Sequence, residues 1–439
     1  LGRAGTPGGA RDAVAATANY PGVVGLYRGF DGNGDVNPQW GWIERHLAGQ
    51  WTPVFAIPEF GRELHVCAGP CDYNSIQAAV DAANAGDIIK VAAGTYSDLH
   101  SHPAPPGYIG PSVITQVVYI DKDITLRGGY SIADWDMPAP LVNVTTIDAQ
   151  DSGRALVIAG DSIRPVVEGF HITGGDAAGL GGVDFFPGGS PAGGGIYVSG
   201  AAPRLSRNWI YDNYASDFGG GIYLDYSPVG ATLSDNEISG NISSWGGGLS
   251  VLRYHPATIV NNLFVDNHAI GWPPERGGAV DIRQDGDSSY AVTFSGNTVI
   301  SNTAGDYGGG IAIWQGQHVL TQNEIRSNSA ITGAGLYLDE SQASLVDNLI
   351  ADNTATGSGG GMALLESRPW IQSNRITNNV AESGGGIYAH GPGWGAEGDG
   401  GPAMFGNHFI SNTANNSGGG IMLDFSAAAV VGNRFENNH

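Results

Sequence analysis

Nine copies of one pattern run through the second half of the chain and constrain its fold more than any other feature. Each copy opens on a glycine cluster, at Gly193, Gly219, Gly246, Gly277, Gly308, Gly333, Gly359, Gly384 and Gly418. Two asparagines five residues apart follow each cluster: Asn208/Asn213, Asn236/Asn241, Asn262/Asn267, Asn297/Asn302, Asn323/Asn328, Asn348/Asn353, Asn374/Asn379, Asn407/Asn412 and Asn433/Asn438. Self-similarity with a period of about 25 residues indicates a repeat architecture with one continuous core.

Apolar residues occupy fixed positions in every copy. They stand three residues before the first asparagine, two residues after it, and in an apolar-x-apolar run behind the glycines, as in Leu233, Ile238 and Ile222/Leu224. Such short alternating segments between turn residues predict three short strands per repeat. One coil cannot bury its own apolar side chains, whereas stacked coils form continuous parallel sheets. The sequence therefore predicts an all-β fold, a parallel β-helix.

The glycines and asparagines are predicted to be scaffold. Glycine tolerates a positive φ and a close backbone approach, which a sharp corner requires at the same place in every turn. Asparagine at a recurrent bend can satisfy backbone groups and also bond to the asparagine of the next coil. We therefore predict a structural ladder of Asn208, Asn236, Asn262, Asn297, Asn323, Asn348, Asn374, Asn407 and Asn433.

Upstream of the repeats, the stretch SIQAAVDAANAGD predicts a short helix that ends at Gly86 and caps the N-terminal mouth of the solenoid. Its apolar face comprises Ile76, Ala79, Val80 and Ala83. We divide the chain into three regions. Residues 1–62 form an N-terminal segment, residues 63–192 the cap and first irregular coils, and residues 193–439 the nine-repeat β-helix, which we expect to continue or to dock onto something at its C-terminal end.

The net charge limits the classes of partner that the protein can bind, and the two cysteines indicate a local disulfide or a metal site. The formal net charge is −23, and the chain has two lysines, Lys90 and Lys122. Nucleic acids and anionic membranes need clustered cations, so they are disfavoured as partners, and polyuronates would need a bridging divalent cation. Cys67 and Cys71 are close enough to close a local disulfide, and a metal site of His65, Cys67 and Cys71 is the alternative.

The repeats carry a family resemblance. The combination of a GG[GA]-apolar corner with FVDN, FISN, FENN, IYDN and IADN resembles the GGA(I/L/V) and FxxN repeats of polymorphic outer membrane proteins, over residues 193–439. The stretch SIQAAVDAANAGDIIKVAAGTY resembles the cap and first coil of the pectin-lyase-like superfamily. The resemblance implies a right-handed helix, a secreted or surface location and, often, adhesion. It implies less about function, because the superfamily mixes lyases, hydrolases and adhesins.

Lengthened repeats suggest a site on an outer strand face. Asp281 and Arg283 lie between two insertions, with Asp225, Arg253 and Trp314 in the corresponding columns of nearby coils. Two coils would separate the carboxylates by about 9–10 Å, near the upper range for an inverting glycosidase pair. Three tryptophans are candidates for stacking on sugars: Trp272, Trp314 and Trp394. We favour the simpler interpretation that these charges are solvated on an exposed sheet, because there is no Asp-Asp pair and no Arg-x-Lys signature.

A possible metal site lies near the N-terminus. Asp31, Asn33, Asp35 and Asn37 alternate as in half of an EF-hand loop, a spacing that can place oxygen ligands around Ca²⁺. Val36 replaces the expected glycine, and Trp42 stands where a bidentate carboxylate is needed. An ordinary Asx turn is the alternative to a calcium loop.

Together these features predict a secreted or cell-surface protein with a structural or adhesive role rather than a catalytic one. Its expected partners are extracellular glycans, other surface proteins or copies of itself. A polysaccharide lyase or hydrolase acting near Asp281 is one alternative. A filament subunit that stacks end to end is another.

Overall fold

The structure is a computed structural model that describes residues 61–284, 290–391 and 400–439, together with the backbone of three N-terminal strands. Those strands, Val24–Phe30, Val36–Leu47 and Gln50–Ile57, form an antiparallel sheet. In the remainder of the described chain, four stacks of strands run along a solenoid. We number these stacks sheets 1 to 4.

Each turn of the solenoid contributes one strand to each of the first three sheets, except that the turn after Ile88–Ala92 contributes an antiparallel pair to sheet 1. Sheet 1 consists of His100–Pro103, Val113–Ile120, Arg154–Ala159, Ile196–Ser199, Ile222–Asp225, Leu249–Leu252, Val280–Arg283, Ile311–Trp314, Leu336–Asp339, Met362–Leu365, Ile387–His390 and Ile421–Asp424. Sheet 2 consists of Glu63–Val66, Ile88–Ala92, Thr125–Tyr130, Val166–Glu168, Arg204–Ser206, Ala231–Ser234, Ala257–Val260, Val292–Ser295, Val319–Thr321, Ser344–Val346, Trp370–Gln372, Ala403–Phe405 and Ala429–Val431. Sheet 3 consists of Gly94–Tyr96, Thr145–Asp148, His171–Thr173, Trp209–Tyr211, Glu237–Ser239, Leu263–Val265, Thr298–Ile300, Glu324–Arg326, Leu349–Ala351, Arg375–Thr377, His408–Ile410 and Arg434–Glu436.

Two smaller sheets complete the strand inventory of the described residues. Sheet 4 begins later in the chain and consists of Ile242–Ser243, His268–Ala269, Thr303–Ala304, Ser329–Ala330, Thr354–Ala355, Val380–Ser383 and Thr413–Ser417. Gly182–Val183 and Ser190–Pro191 form an antiparallel pair outside the stack. In sheets 1 to 4 neighbouring strands are parallel, except for the first pair of sheet 1. The predicted all-β, parallel β-helix is confirmed.

The apolar positions of the repeat stack as vertical neighbours. Ile238 pairs with Phe264 and Phe264 with Val299 in successive strands of sheet 3, and none of the three side chains is exposed. One hydrophobic core runs from Leu64 to Phe409. In the last coil Phe435 is 49% exposed, because no further coil of the described chain lies over it. Burial of each rung therefore depends on the rung beside it.

The corner glycines have the conformation that the sequence predicts. The first glycine of each cluster has a positive φ, for example 55° at Gly219 and 68° at Gly246. A Cβ on Gly219 would lie 2.2 Å from the carbonyl oxygen of Ile222. Both the dihedral and the contact exclude other residues at this corner.

The asparagines form two parallel ladders. In the first, the Oδ1 atom of Asn262 accepts from the backbone N–H of Asn236 at 3.0 Å and from its Nδ2 at 2.9 Å. The Nδ2 atom of Asn262 in turn donates to the carbonyl of Leu233 and to Asn297. The same pattern extends from Asn208 to Asn433, and a second ladder from Asn213 to Asn438 repeats it. These bonds satisfy amides that lie inside the corner.

The helix, Ile76–Ala82, begins at Ser75, whose side chain accepts from the N–H of Ala78. It ends at Ala82 rather than at Gly86, because the N–H of Ala83 turns back to Val80 and Lys122 donates to the last carbonyls. The predicted apolar face is buried, and Gln77 bonds to the backbone of Tyr119 in sheet 1. Nearby, Cys67 and Cys71 form a disulfide, so they are not available as metal ligands.

Candidate functional site

The strand Ile222–Asp225 shows how sheet 1 builds its two faces. Ile222 and Leu224 point into the solenoid, and the alternation of a strand turns Tyr223 and Asp225 outward. On a bare sheet these outward groups would be solvated. Here Tyr223 is fully buried and Asp225 is 3% exposed. Something outside the solenoid must therefore cover them.

Two segments that do not belong to the repeat provide the cover. Residues 104–112 and 177–192, the covering segments, lie over the first coils of sheet 1 and enclose a second apolar cluster that includes Val183, Tyr197, Tyr223 and Trp245. Arg154, which is completely buried, fastens both segments. Its guanidinium donates to Ala192 O at 2.9 Å, to Gly181 O at 2.6 Å and to Tyr108 Oη at 2.9 Å. Arg154 therefore holds both covering segments against the outer face of sheet 1.

A cleft of about 370 Å³ opens between the covering segments and the end of the strand Ile222–Asp225. Its volume is within the range of small-molecule sites. The residues that line it are Pro105, Pro106, Gly107, Ile109, Gly160, Asp161, Gly182, Asp184, Tyr197, Ser199, Gly200, Asp225, Tyr226 and Arg253. The cleft therefore combines backbone from both covering segments with polar groups from three rungs.

Asp225 lies at the floor of this cleft. Its Oδ2 atom accepts from Tyr223 Oη at 2.6 Å and from Arg253 Nη2 at 2.8 Å. Its Oδ1 atom is buried and has no hydrogen-bond partner in the described structure. Burial raises the pKa of Asp225 to about 6, against the opposing effect of Arg253. The carboxyl therefore changes charge close to neutral pH.

Arg253 completes the floor. Its guanidinium carbon lies 4.4 Å from the centre of the Tyr226 ring, a cation–π contact that fixes the orientation of the guanidinium. Its Nε atom is buried without a hydrogen-bond partner, like Oδ1 of Asp225. Both atoms are enclosed by protein, so the most accessible part of this floor is the Tyr226 ring, which is 46% exposed.

The predicted arrangement of Asp225, Asp281 and Arg283 is wrong in two respects. First, Asp281 is 1% exposed and Arg283 is 6% exposed, so they are not solvated charges. Second, Asp281 pairs with Ser250, which itself pairs with Tyr223, so Asp281 lies in the Tyr223 column and not in the column of Asp225. The structure therefore does not present the two aspartates as a carboxylate pair across a groove.

Asp281 and Arg283 instead neutralise each other under the covering segments. Arg283 Nε lies 3.1 Å from Asp281 Oδ2, and the guanidinium lies over the Trp245 ring at 5.0 Å. Burial raises the pKa of Asp281, and Arg283 opposes that shift. Phe185 from the second covering segment lies over the same guanidinium at 5.7 Å. An acid enclosed in this way has no open path to a polysaccharide.

The predicted tryptophans are dispersed. Trp272, in the segment that precedes Gly277, is 70% exposed. Its backbone N–H donates to Ser244 Oγ. Trp314 ends a sheet 1 strand, half-buried, with the Arg283 guanidinium 5.9 Å from its ring. Trp394 lies outside the described residues. None of the three is among the described residues that line the cleft over Asp225.

The predicted calcium loop cannot be placed. Asp31, Asn33 and Asp35 lie outside the described residues, and Asn37 is described only as backbone within a strand. Over the described ranges 61–284, 290–391 and 400–439, no three acidic, histidine or cysteine side chains come together as metal ligands. Calcium binding stays a prediction.

A second depression lies on sheet 3, on another face of the solenoid. It is shallow, about 420 Å³, and is lined by His171, Trp209, Tyr211, Glu237 and neighbouring turn residues. His171 and Trp209 stack with ring centres 4.8 Å apart. This surface offers aromatic rings but, among its described residues, no buried polar atom without a partner.

Comparison with known proteins bears on the fold. A family model described as "Right handed beta helix region" matches residues 151–329 and 309–439. The chain belongs to this family. Among solved structures, the crystal structure of pectate lyase Pel9A is similar over 73% of this chain and 75% of its own, with 13% sequence identity and a TM-score of 0.44. No curated protein matches the sequence significantly. The described residues contain no helix long and apolar enough to cross a membrane.

Sequence reasoning missed most of the cleft. Arg253 was expected in an outward column near Asp281, but Arg154, Tyr226 and the covering segments were not singled out, because none of them occupies a position that recurs in every repeat. Two signals could have found them. The stretch GGVDFFPGGSPA before Gly193 is longer than the other corners, and the sequence IYLDY places a tyrosine and an aspartate on one outer face.

Proposed function

We propose that this β-helix is a secreted or cell-surface protein with a structural or adhesive role, and that it binds glycans in the cleft over Asp225. The observation that supports this most directly is a cleft of about 370 Å³ that brings the Asp225–Arg253 ion pair and the 46% exposed ring of Tyr226 together. Polar groups beside an accessible aromatic ring favour a ligand that offers both hydroxyl groups and an apolar ring face. Sugars have that chemistry.

The extracellular part of the proposal rests on two further features. A disulfide between Cys67 and Cys71 is typical of oxidising compartments. The repeats resemble those of polymorphic outer membrane proteins, which suggests a surface location. Other surface proteins and copies of this chain are additional candidate partners, and stacking into filaments stays a prediction that sizing at increasing protein concentration tests.

A catalytic role is the alternative, and the geometry around Asp281 favours it less. Its carboxylate is paired with Arg283 and enclosed by aromatic rings, whereas a glycosidase acid must reach the glycosidic oxygen. Incubation of the protein with a panel of polysaccharides, followed by measurement of reducing ends and of unsaturated products, tests this alternative. Breakdown that is lost in Asp281→Asn would favour the enzyme interpretation over the binding one.

Glycan binding is tested on a glycan array and by calorimetry with the glycans that bind. We compare the protein with Tyr226→Ala, which removes the ring that orients Arg253. Tyr214→Ala is a matched control, because Tyr214 is 40% exposed and Tyr226 46% exposed, but Tyr214 is not among the residues lining the cleft. We expect Tyr226→Ala to weaken binding at least about tenfold and Tyr214→Ala to leave it unchanged. An array without binding, or equal binding by both variants, would contradict the proposal.

A further inference from the structure

The hairpin in the second covering segment ends in a tip that is attached to the rest of the protein by few bonds. Val183 pairs with Ser190 and closes the hairpin, and the tip beyond this pair, residues 184–189, is mostly exposed. Among the described residues, the backbone of the tip makes one hydrogen bond, from the N–H of Gly189 to the carbonyl of Phe186. Local opening of a segment with so few bonds costs little free energy.

Glycine pairs flank the exposed part of this tip. Gly181 and Gly182 precede it with φ angles of 76° and 134°, and Gly188 and Gly189 end it with 94° and 89°. Glycine enters and leaves this left-handed region more readily than other residues, so the backbone can rotate at both ends of the tip. A Cβ on Gly188 would have no atom within 4 Å, so close packing does not account for that glycine. Glycine hinges at both ends are typical of a lid.

The ring of Phe185 fills a slot on the outer face of sheet 1. Its centre lies 5.4 Å from the ring centre of Phe218 and 5.4 Å from that of Trp245, in edge-to-face contacts. The guanidinium carbon of Arg283 lies 5.7 Å from the same ring centre. Phe218 and Trp245 are buried, whereas Phe185 is 47% exposed. The slot therefore holds one six-membered ring, and that ring is carried by the weakly attached tip.

We propose that the tip is a lid, that Phe185 is a plug in the slot, and that a pyranose ring of a bound glycan takes its place when the lid opens. This inference rests on the proposed glycan binding. Gly182 and Asp184 of the same hairpin line the cleft over Asp225, so an open lid extends that cleft toward Trp245.

A pyranose ring reproduces the contacts that the phenyl ring makes. Its apolar face stacks on the Trp245 indole, and its hydroxyl groups face the Asp281–Arg283 ion pair, which is the polar side of the slot. Because Phe185 and Phe186 are 47% and 43% exposed, the closed lid buries only part of each ring. The hydrophobic contact that a sugar must displace is correspondingly small.

A plug lowers the apparent affinity of the ligand with which it competes, because the open state is only fractionally populated. Phe185→Ala is therefore expected to tighten glycan binding at least about tenfold, measured by calorimetry of the full chain with the glycan that gives the strongest signal on the array. If Phe185 were an ordinary wall of the site, its truncation would weaken binding instead. Phe425→Ala is the matched control, because it removes a 63% exposed phenyl ring outside the described lining of the cleft, and is expected to leave the affinity unchanged.

Lid opening is measured without any glycan by a cysteine placed under the tip. Ser250 follows Trp245 on its rung and pairs with Asp281 on the next; it is fully buried, and its Oγ has no hydrogen-bond partner within the described chain. Both natural cysteines are in the disulfide, so Ser250→Cys introduces the single free thiol. We expect iodoacetamide to label it at least about tenfold faster than Ala363→Cys, an equally buried outward position of sheet 1 away from the lid. Phe185→Ala is expected to accelerate the labelling of Ser250→Cys further.

The outcomes separate this inference from the proposed function. Labelling of Ser250→Cys that is no faster than that of Ala363→Cys would show that the slot opens only on global unfolding, and would overturn the inference. Binding that Tyr226→Ala weakens, but that Phe185→Ala weakens or leaves unchanged, would also overturn the inference and would leave glycan binding in the cleft in place. An array without binding would overturn the proposed function and, with it, the sugar in the slot.

Discussion

Two rungs of the solenoid carry nearly the same strand and have different outer surroundings. Ile222–Asp225 reads IYLD, and Leu336–Asp339 reads LYLD. In both strands the tyrosine donates to the aspartate two residues later, at 2.6 Å in the first and 3.1 Å in the second. Asp225, however, is 3% exposed beside Arg253 at the floor of a cleft, whereas Asp339 is half-buried outside that cleft, where burial also raises its pKa.

The repeat therefore sets the Tyr-x-Asp geometry, whereas segments outside the repeat set how deeply that pair is buried. The Tyr-x-Asp contact follows from strand alternation alone and occurs wherever the sequence places it. The raised pKa of Asp225, about 6, comes from burial under the covering segments, which the repeat does not encode.

Loss of a ladder asparagine is expected to destabilise the two rungs equally. Asn236 and Asn348 each donate to a carbonyl of the preceding rung, donate to the next asparagine, and accept two bonds from the previous one. Replacing either by alanine leaves several buried groups without partners, so each variant is expected to lose on the order of 4 kcal/mol of unfolding free energy. Urea unfolding measures this. The exposed amide in Asn415→Ala is the control, and losses in the two ladder variants that differ by more than about 2 kcal/mol would contradict the equivalence.

Acid is expected to destabilise the folded protein through two buried histidines. Burial lowers the pKa of His255 and of His318 to about 4, from about 6.5 in an unfolded chain. The unfolded chain therefore binds more protons between these values, and stability is lost as pH falls from about 6.5 toward about 4, by on the order of 3 kcal/mol per histidine. Asp225 acts with the opposite sign, because its pKa is raised and the folded state gains the proton as pH falls below about 6.

Unfolding across this pH range in His255→Gln and His318→Gln checks the assignment. Each variant should lose part of the acid sensitivity, while His268→Gln, which replaces a half-buried histidine beside Asp266, should keep it. An acid sensitivity unchanged in both buried-site variants would show that other groups cause it.

The stability of the first rung is expected to depend on Arg253. Arg253→Met removes the guanidinium that faces Asp225 and leaves a buried carboxylate unpaired, at a cost of about 3 kcal/mol at neutral pH. The pKa of Asp225 should rise further in this variant, so the cost should shrink in mildly acidic solution, where the carboxyl is protonated. Arg326→Met, which removes the partner of the partly exposed Glu324, should change stability by about 0.5 kcal/mol or less. A cost that does not depend on pH would contradict the pairing.

The smallest effect is expected at the second rung. Asp339→Asn keeps an acceptor for Tyr337 on a half-buried side chain, so a change of about 0.5 kcal/mol or less is expected, with no effect on glycan affinity. Asp225→Asn, by contrast, should weaken glycan binding. Equal effects of the two substitutions on binding would remove the distinction between the rungs.

The sequence predicted the repeated positions, the buried face of the capping helix and the disulfide, but not the contacts between distant segments. Positions such as Gly219, Asn262 and Ile238 occur in every copy, so their roles could be inferred from periodicity before any coordinates. The end of the helix could not be predicted, because it depends on hydrogen bonds of Ala83 and Lys122 that sequence periodicity does not reveal.

The error at Asp225 and Asp281 has the same origin. Alternation correctly predicted that both side chains point out of the solenoid, but it cannot report that residues 104–112 and 177–192 fold back over them. Arg154, which fastens these segments through three hydrogen bonds, is one arginine among many in the sequence. Contacts between segments so far apart in the sequence can be identified only from the tertiary structure.

The most direct measurement is a crystal structure of the protein with a glycan that it binds on the array. Glycan binding in the cleft predicts electron density for a sugar against Tyr226 and the polar groups that line the cleft over Asp225, and no sugar at Asp339. Density at Asp339 or on the His171–Trp209 surface, with the cleft over Asp225 free of sugar, would contradict this prediction.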